Sequence, residues 1–144
     1  AASDVYKRQS LHNDRRAMFL ITALVAFVAV AIHCYIFVLE AFWWSTPRGR
    51  AVFGTTETEA AHTRALAFNQ GFYNLFLAAI AAIGAVLLLA DRHAVGAALV
   101  YAGCGAMALA GIVLISSDRS KARPALVQLT PPLLAIAALT VALA

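Results

Sequence analysis

Four long apolar stretches constrain this chain more than any other feature. They run from about Met18 to Trp44, Leu66 to Ala90, Ala94 to Ile115 and Ala125 to Ala144. Each is long enough to cross a bilayer, since a helix needs about 20 mostly apolar residues to span a hydrocarbon core of about 30 Å. A chain that is 62% hydrophobic and 12% charged is also far from the composition of soluble proteins. The sequence therefore predicts an all-α integral membrane protein, an antiparallel up-down four-helix bundle surrounded by the lipid bilayer.

The first nine residues, AASDVYKRQ, do not share this apolar character. The segment SDVYKRQ resembles translated read-through of a sequencing adapter. We therefore expect residues 1–9 to be a non-native leader and Met18 to lie close to the natural start. Residues 10–144 would then form a single four-span transmembrane domain, because the connections are too short for a water-soluble domain.

Basic residues flank the spans unequally. Four crossings place both termini on one side, and Lys and Arg are more frequent on the cytoplasmic side of membrane proteins. Three basic residues lie on the side of the termini, or five with the leader, against six on the side of the first and third connections. We therefore expect these two connections to be cytoplasmic. The six residues are Arg48, Arg50, Arg64, Arg119, Lys121 and Arg123.

The connection after the first span contains a stop signal and a start signal for helices. Pro47 is expected to end the first helix at about residues 45–46, because the residue before a proline avoids the helical conformation. Thr56, followed three residues later by Glu59, matches a capping box. This pattern predicts that the second helix begins around Glu57, well outside the hydrocarbon.

The third span carries alanines at four-residue spacing. Small residues allow helix backbones to approach closely in lipid, so we interpret this stripe as a packing face. The same face could also contact a second copy of the chain or another membrane protein. The four residues are Ala98, Ala102, Ala106 and Ala110.

Polar residues gather at one end of the predicted bundle. Trp43 and Trp44 mark the membrane interface at the end of the first span. Glu40 then lies about one turn inside, and His33 lies about 10 Å deeper on nearly the same helix face. Because the second span runs back and the fourth begins on this side, their polar residues fall within the same leaflet. These residues are Asn69, Gln70, Asn74 and Gln128.

We predict that these six residues line one polar pocket. An acidic residue near the bilayer centre costs about 2.5–3.5 kcal/mol, and less near the interface, which favours an inward-facing Glu40. Taken singly, each residue has a simpler explanation: Glu40 could extend to water, and Asn69 and Gln70 could solvate a helix end. Their agreement in depth from three helices favours a shared pocket.

Neither a metal site nor a cofactor is expected. Cys34 and Cys104 fall within spans, where a small soft side chain packs well. His33 and Cys34 are adjacent on a helix and point about 100° apart, with no second pair of ligands to support them. We also expect no nucleic-acid partner for a chain of this kind.

The motif IHCYIFVLEAFWW at residues 32–44 carries a family resemblance, together with TPRGRAVFG, NQGFYNLFLA and the VQ of residues 127–128. The combination resembles the H-x-Y-x-x-x-L-E-x-x-x-W signature and flanking segments of the DUF1304 family, small bacterial four-helix membrane proteins of unknown function. The resemblance covers the chain from about Met18 to its end. It implies the four-span topology and the bacterial cytoplasmic (inner) membrane, but no reaction.

Binding or transport of a small polar or amphiphilic molecule, or of a proton, is the function that these features favour. His33 and Glu40 would handle a proton or a cationic group, and the amides would orient the ligand. A membrane-embedded enzyme acting on a lipid- or quinone-like substrate is one alternative, and an accessory subunit of a membrane complex is another. We expect the protein not to be an enzyme, because it has no recognisable catalytic motif. His33 and Glu40 are also about 10 Å apart along the helix, too far for direct proton transfer.

Overall fold

A computed structural model describes residues 2–144, so Ala1 of the expected leader lies outside the described residues. The rest of the leader continues the first helix without a break. The helices are α1 (Ala2–Ala41), α2 (Pro47–Phe53), α3 (Glu57–Leu89), α4 (His93–Ser117) and α5 (Ala122–Leu143), with a 3₁₀ turn at Arg119–Lys121 before α5.

Four of the helices are long and apolar enough to cross a membrane. The candidate spans are Gln9–Ala41, Glu57–Leu89, His93–Ser117 and Arg119–Leu143. Helices α1 and α4 each pack against both α3 and α5, so the four spans form a ring in chain order. The predicted all-α multi-pass bundle is confirmed.

The interface between α3 and α4 is closed by glycines. A Cβ atom at Gly103 would lie 2.8 Å from the backbone nitrogen of Ala81, and one at Gly84 would lie 2.7 Å from that of Val100. Such distances are far below ordinary contact, so only glycine permits the two backbones to come this close. This side of the bundle is therefore packed backbone to backbone.

The alanine stripe is not the face on which α4 packs within the chain. Ala98, Ala102 and Ala110 are exposed, whereas Gly103 and Met107 are buried. The physical reason is the helical repeat: a spacing of four residues advances about 40° around a helix of 3.6 residues per turn, so the stripe leaves any one face. Its contact with a second copy or a membrane partner stays a prediction.

Helix α1 ends earlier than expected, and Pro47 begins a helix instead of only ending one. Helix α1 stops at Ala41, and the Thr46 hydroxyl accepts a hydrogen bond of 3.2 Å from the Gly49 amide at the start of α2. Pro47 occupies the first position of that helix, where a backbone N–H would have no acceptor within the helix, so its absence costs no hydrogen bond. A Cβ atom at Gly49 would lie 2.0 Å from the Trp43 carbonyl oxygen, so α2 packs directly on the chain that leaves α1.

The start of α3 follows the predicted capping box. The Glu59 amide donates to the Thr56 hydroxyl at 3.2 Å, and the Glu59 carboxylate accepts from the Thr56 amide at 2.8 Å. Helix α3 begins at Glu57, as the sequence predicts, and its first turns lie beyond the apolar segment.

Candidate functional site

Glu40 meets a polar partner from another span. It lies in the last turn of α1 with 8% of its surface exposed, and its Oε2 accepts a 2.8 Å hydrogen bond from Asn74 Nδ2 of α3. Gly71 allows this meeting, because a Cβ atom there would lie 3.2 Å from the Glu40 Cβ and 3.2 Å from the Phe37 carbonyl oxygen. The close approach of α1 and α3 thus places an acidic group and an amide together inside the bundle.

The amides of α3 share one helix face. Asn74 Nδ2 lies 3.3 Å from the Gln70 carbonyl oxygen, one turn earlier, as well as at hydrogen-bonding distance from Glu40. The Gln70 side chain projects from the same face because four residues nearly complete one turn. Gln70 and Asn74 therefore present their amides along one line beside Glu40.

A cavity of about 610 Å³ adjoins this pair. Its walls come from all four spans and from α2, and they combine apolar side chains such as Leu39, Phe53 and Leu114 with a smaller polar set. The polar lining residues are Glu40, Gln70, Asn74, Lys121, Arg123 and Gln128.

The cavity communicates with its surroundings. Seven of its lining residues are exposed: Tyr35, Val52, Gln70, Ala110, Arg123, Pro124 and Val127. Tyr35 lies on α1 and Val127 on α5, so part of the opening faces sideways between these two helices. Val52 lies on α2, at the water-facing end, so a molecule can reach the site from the membrane side or from the end of the bundle.

Helix α2 covers the end of the cavity and is tied to the turn before α5. Lys121 Nζ donates a hydrogen bond to the Phe53 carbonyl oxygen at the end of α2. In the same turn, hydrogen bonds from the Ser120 side chain and amide hold the pKa of Asp118 below its ordinary value. The carboxylate is therefore charged at neutral pH and keeps the turn that presents Lys121 in place.

The two cations of this lining are functional candidates that the site prediction missed. In the sequence, Lys121 and Arg123 were interpreted only as markers of orientation, although they directly precede the fourth span on the side of the polar cluster. Their proximity to the start of that span was the available signal. With Glu40, they give the cavity both signs of charge.

His33 and Asn69 are not part of the cavity lining. His33 is buried, with 1% of its surface exposed, and its Nδ1 donates to the Ala29 carbonyl oxygen at 3.0 Å within its own helix. Asn69 is exposed, on a helix face about 100° from that of Gln70. The structure thus brings together four of the six predicted site residues: Glu40, Gln70, Asn74 and Gln128.

Glu40 has an amide partner but no cation at bonding distance. Among the described side chains, those of residues 6, 7 and 9–144, no Lys or Arg nitrogen lies within 4.0 Å of the Glu40 carboxylate, and no group of three His, Cys, Asp or Glu side chains comes together as metal ligands would. A carboxylate in this position can accept a further hydrogen bond or neutralise a cationic group. The site is chemically suited to a ligand that supplies a donor.

Comparison with known proteins identifies the family of this chain. Residues 26–140 match the model of a family described as a protein of unknown function, DUF1304. The chain belongs to the DUF1304 family. Neither the curated proteins nor the solved structures contain a match. The match covers part of the first span, all of the second and third, and the fourth as far as residue 140, and it includes every polar residue of the cavity lining.

Proposed function

We propose that this DUF1304 protein binds a small amphiphilic molecule, with the polar part of the ligand at Glu40 and the apolar part against the cavity walls. The observation that carries the proposal is the Glu40–Asn74 contact inside a cavity walled by all four spans. A site of this kind, mostly apolar with a few convergent polar groups, is typical of small-molecule binding in helix bundles. The proposed setting is the bacterial cytoplasmic membrane.

Charge supports a ligand with a hydrogen-bond donor. Burial of the Glu40 carboxylate is costly unless it is hydrogen-bonded or paired, and Asn74 supplies one bond. A primary ammonium group can donate up to three hydrogen bonds and carries the complementary charge. We therefore propose an amine-bearing amphiphile as the preferred ligand.

Binding is favoured over passage through the bundle. The cavity lies at one end, and further along the bundle the backbones of α3 and α4 are in contact at Gly84 and Gly103. Acid/base catalysis by Glu40 and His33 has no support from the geometry, because His33 bonds to its own helix and does not line the cavity.

The test uses the purified full chain in dodecyl maltoside micelles with octylamine as the probe. Octylamine is expected to raise the midpoint of thermal unfolding, followed by tryptophan fluorescence, because a ligand that binds only the folded state stabilises it. Octanol and octanoate, which lack the ammonium group, should raise the midpoint less.

The variants Glu40→Gln and Glu57→Gln form a matched pair for this test. Glu57 is an exposed carboxylate in the first turn of α3 and does not line the cavity. We expect Glu40→Gln to lose the preference for octylamine over octanol and Glu57→Gln to keep it. The proposal is wrong if octylamine shifts wild-type protein and Glu40→Gln equally.

A further inference from the structure

A shallow apolar groove on α1 adjoins the cavity. It has a volume of about 520 Å³ and is lined by Leu24, Phe27, Val28, Ala31, Ile32 and Tyr35, at spacings of three and four residues. This spacing places all six on one helix face. Ile32 and Tyr35 also line the cavity, so the groove and the cavity share a boundary.

The groove has the length of one bilayer leaflet. Leu24 and Tyr35 are eleven residues apart, which corresponds to about 16 Å along a helix with a rise of 1.5 Å per residue. The hydrocarbon core of a bilayer is about 30 Å thick, so the groove extends over roughly half of it. Ala31 lies midway between Met18 and Trp44, so the groove straddles the bilayer centre. An acyl chain whose polar end is at the cavity would occupy the part of the groove from Tyr35 to about Ala31.

The polar lining matches a headgroup that carries two charges. Glu40 provides a carboxylate, and Lys121 and Arg123 provide cations in the same cavity. The carboxylate suits an ammonium group, and the cations suit a phosphate, since Arg and Lys both bind phosphate oxygens. Gln70 and Gln128 supply amides that can bond to ester or phosphate oxygens.

We infer that the ligand is a membrane phospholipid whose headgroup bears a primary ammonium, with its phosphate at Lys121 and Arg123, its ammonium at Glu40 and one acyl chain in the α1 groove. This inference rests on the proposed function and names the ligand class for the same site. Continuity of groove and cavity, together with charge complementarity, selects a lipid over a water-soluble amine, because a soluble ligand has no use for the groove.

Headgroup selectivity is the first test. The full chain in dodecyl maltoside is titrated with phosphatidylethanolamine, phosphatidylcholine or phosphatidylglycerol of identical acyl chains, and bound lipid is counted by native mass spectrometry. Phosphatidylethanolamine is expected to bind about tenfold to a hundredfold more tightly than the other two, because only its headgroup offers Glu40 both a positive charge and N–H donors. The quaternary ammonium of phosphatidylcholine has no N–H, and the hydroxyl donors of phosphatidylglycerol carry no charge. Equal affinities for the three lipids would overturn the headgroup assignment.

Two charge variants separate the ends of the headgroup. Glu40→Gln is expected to reduce the affinity for phosphatidylethanolamine to that for phosphatidylcholine. Arg123→Gln is expected to weaken the binding of all three lipids. Arg119→Gln is the control, because it removes a nearby exposed cation that does not line the cavity, and it should leave lipid binding unchanged. If Arg123→Gln and Arg119→Gln behave alike, the phosphate assignment is wrong.

The acyl-chain assignment has its own matched pair. Ala31→Trp fills the groove, and Ala79→Trp places the same bulk at an exposed alanine of α3 that lines neither the groove nor the cavity. Ala31→Trp should lower the affinity for phosphatidylethanolamine by about tenfold or more and leave octylamine binding unchanged. Ala79→Trp should change neither affinity. If the wild-type protein binds octylamine but binds the three lipids equally, the lipid inference alone is wrong. If it shows neither octylamine binding nor lipid selectivity, the proposed function is wrong as well.

Discussion

Replacing Gly103 by alanine is the sharpest test of how this bundle is held together. The new methyl carbon would lie 2.8 Å from the Ala81 backbone nitrogen and 3.0 Å from its Cα and Cβ atoms. Carbon contacts are optimal at about 3.5–4.0 Å, so α3 and α4 must separate by roughly 0.5–1 Å and lose part of their dispersion attraction. Overpacking of this kind costs about 1–3 kcal/mol.

Gly105→Ala is the matched control, because a Cβ atom at Gly105 meets nothing within 4 Å. Both substitutions replace glycine by alanine inside α4 and share the same gain in helix propensity, about 1 kcal/mol. Their difference therefore isolates packing. We expect Gly103→Ala to be less stable than Gly105→Ala by about 1–3 kcal/mol.

The assay is reversible unfolding by sodium dodecyl sulfate in dodecyl maltoside micelles, followed by the fluorescence of Trp43 and Trp44. Gly84→Ala, whose Cβ atom would lie 2.7 Å from the Val100 backbone nitrogen, should follow Gly103→Ala. Equal unfolding midpoints and slopes for Gly103→Ala and Gly105→Ala would refute the argument that glycine closes the α3–α4 interface.

Two further predictions concern the end of the bundle that holds the cavity. Gly49→Ala would place a carbon 2.0 Å from the Trp43 carbonyl oxygen, so it should release α2 and speed proteolysis between residues 42 and 56; unchanged cleavage would contradict the packing of α2 on the end of α1. The excess of basic residues predicts that the first and third connections are cytoplasmic, so a cysteine replacing Arg119 should react with a membrane-impermeant maleimide only after cells are permeabilised. This cysteine is introduced into a protein that also carries Cys34→Ala and Cys104→Ala, so that no other thiol can react. Labelling of intact cells would show that the orientation is the opposite one.

Depth along the membrane could be predicted from the sequence because chain direction alone determines it. Once four spans are recognised, Glu40 near the end of the first and Asn74 near the start of the second must lie at similar depth. In the structure the two helices approach closely at Gly71, where a Cβ atom would lie 3.1 Å from the Ala41 backbone nitrogen. The observed 2.8 Å hydrogen bond is a consequence of that register.

Direction around each helix could not be predicted as well. His33 and Glu40 lie on nearly the same face, yet at the depth of His33 the cavity lies on the side of Ile32 and Ile36. His33 then has an acceptor in its own helix, the Ala29 carbonyl oxygen, and needs no partner from the pocket. Which of two neighbouring residues faces the cavity depends on where the opposite helix packs, and that is a property of the whole bundle.

Helix α2 shows how one motif can carry two signals. Thr46 before Pro47 is a strong helix start, because threonine caps and proline fits the first position. The same proline also ends the preceding helix, and only this second role was predicted from the sequence. Gly49 decides the outcome, since only a residue without a side chain lets α2 fold back against the Trp43 carbonyl.

The two halves of the bundle have different structural roles. On one side, Gly84 and Gly103 bring α3 and α4 into backbone contact, which leaves no side chains between the two helices at these positions. On the other side, α1 and α5 carry Tyr35 and Val127 at the opening of the cavity. In the proposed function, a ligand enters between α1 and α5 or past α2, which is held over the cavity by the bond from Lys121 to the Phe53 carbonyl. It follows that glycine substitutions between α3 and α4 should alter the stability of the fold far more than the affinity of the site.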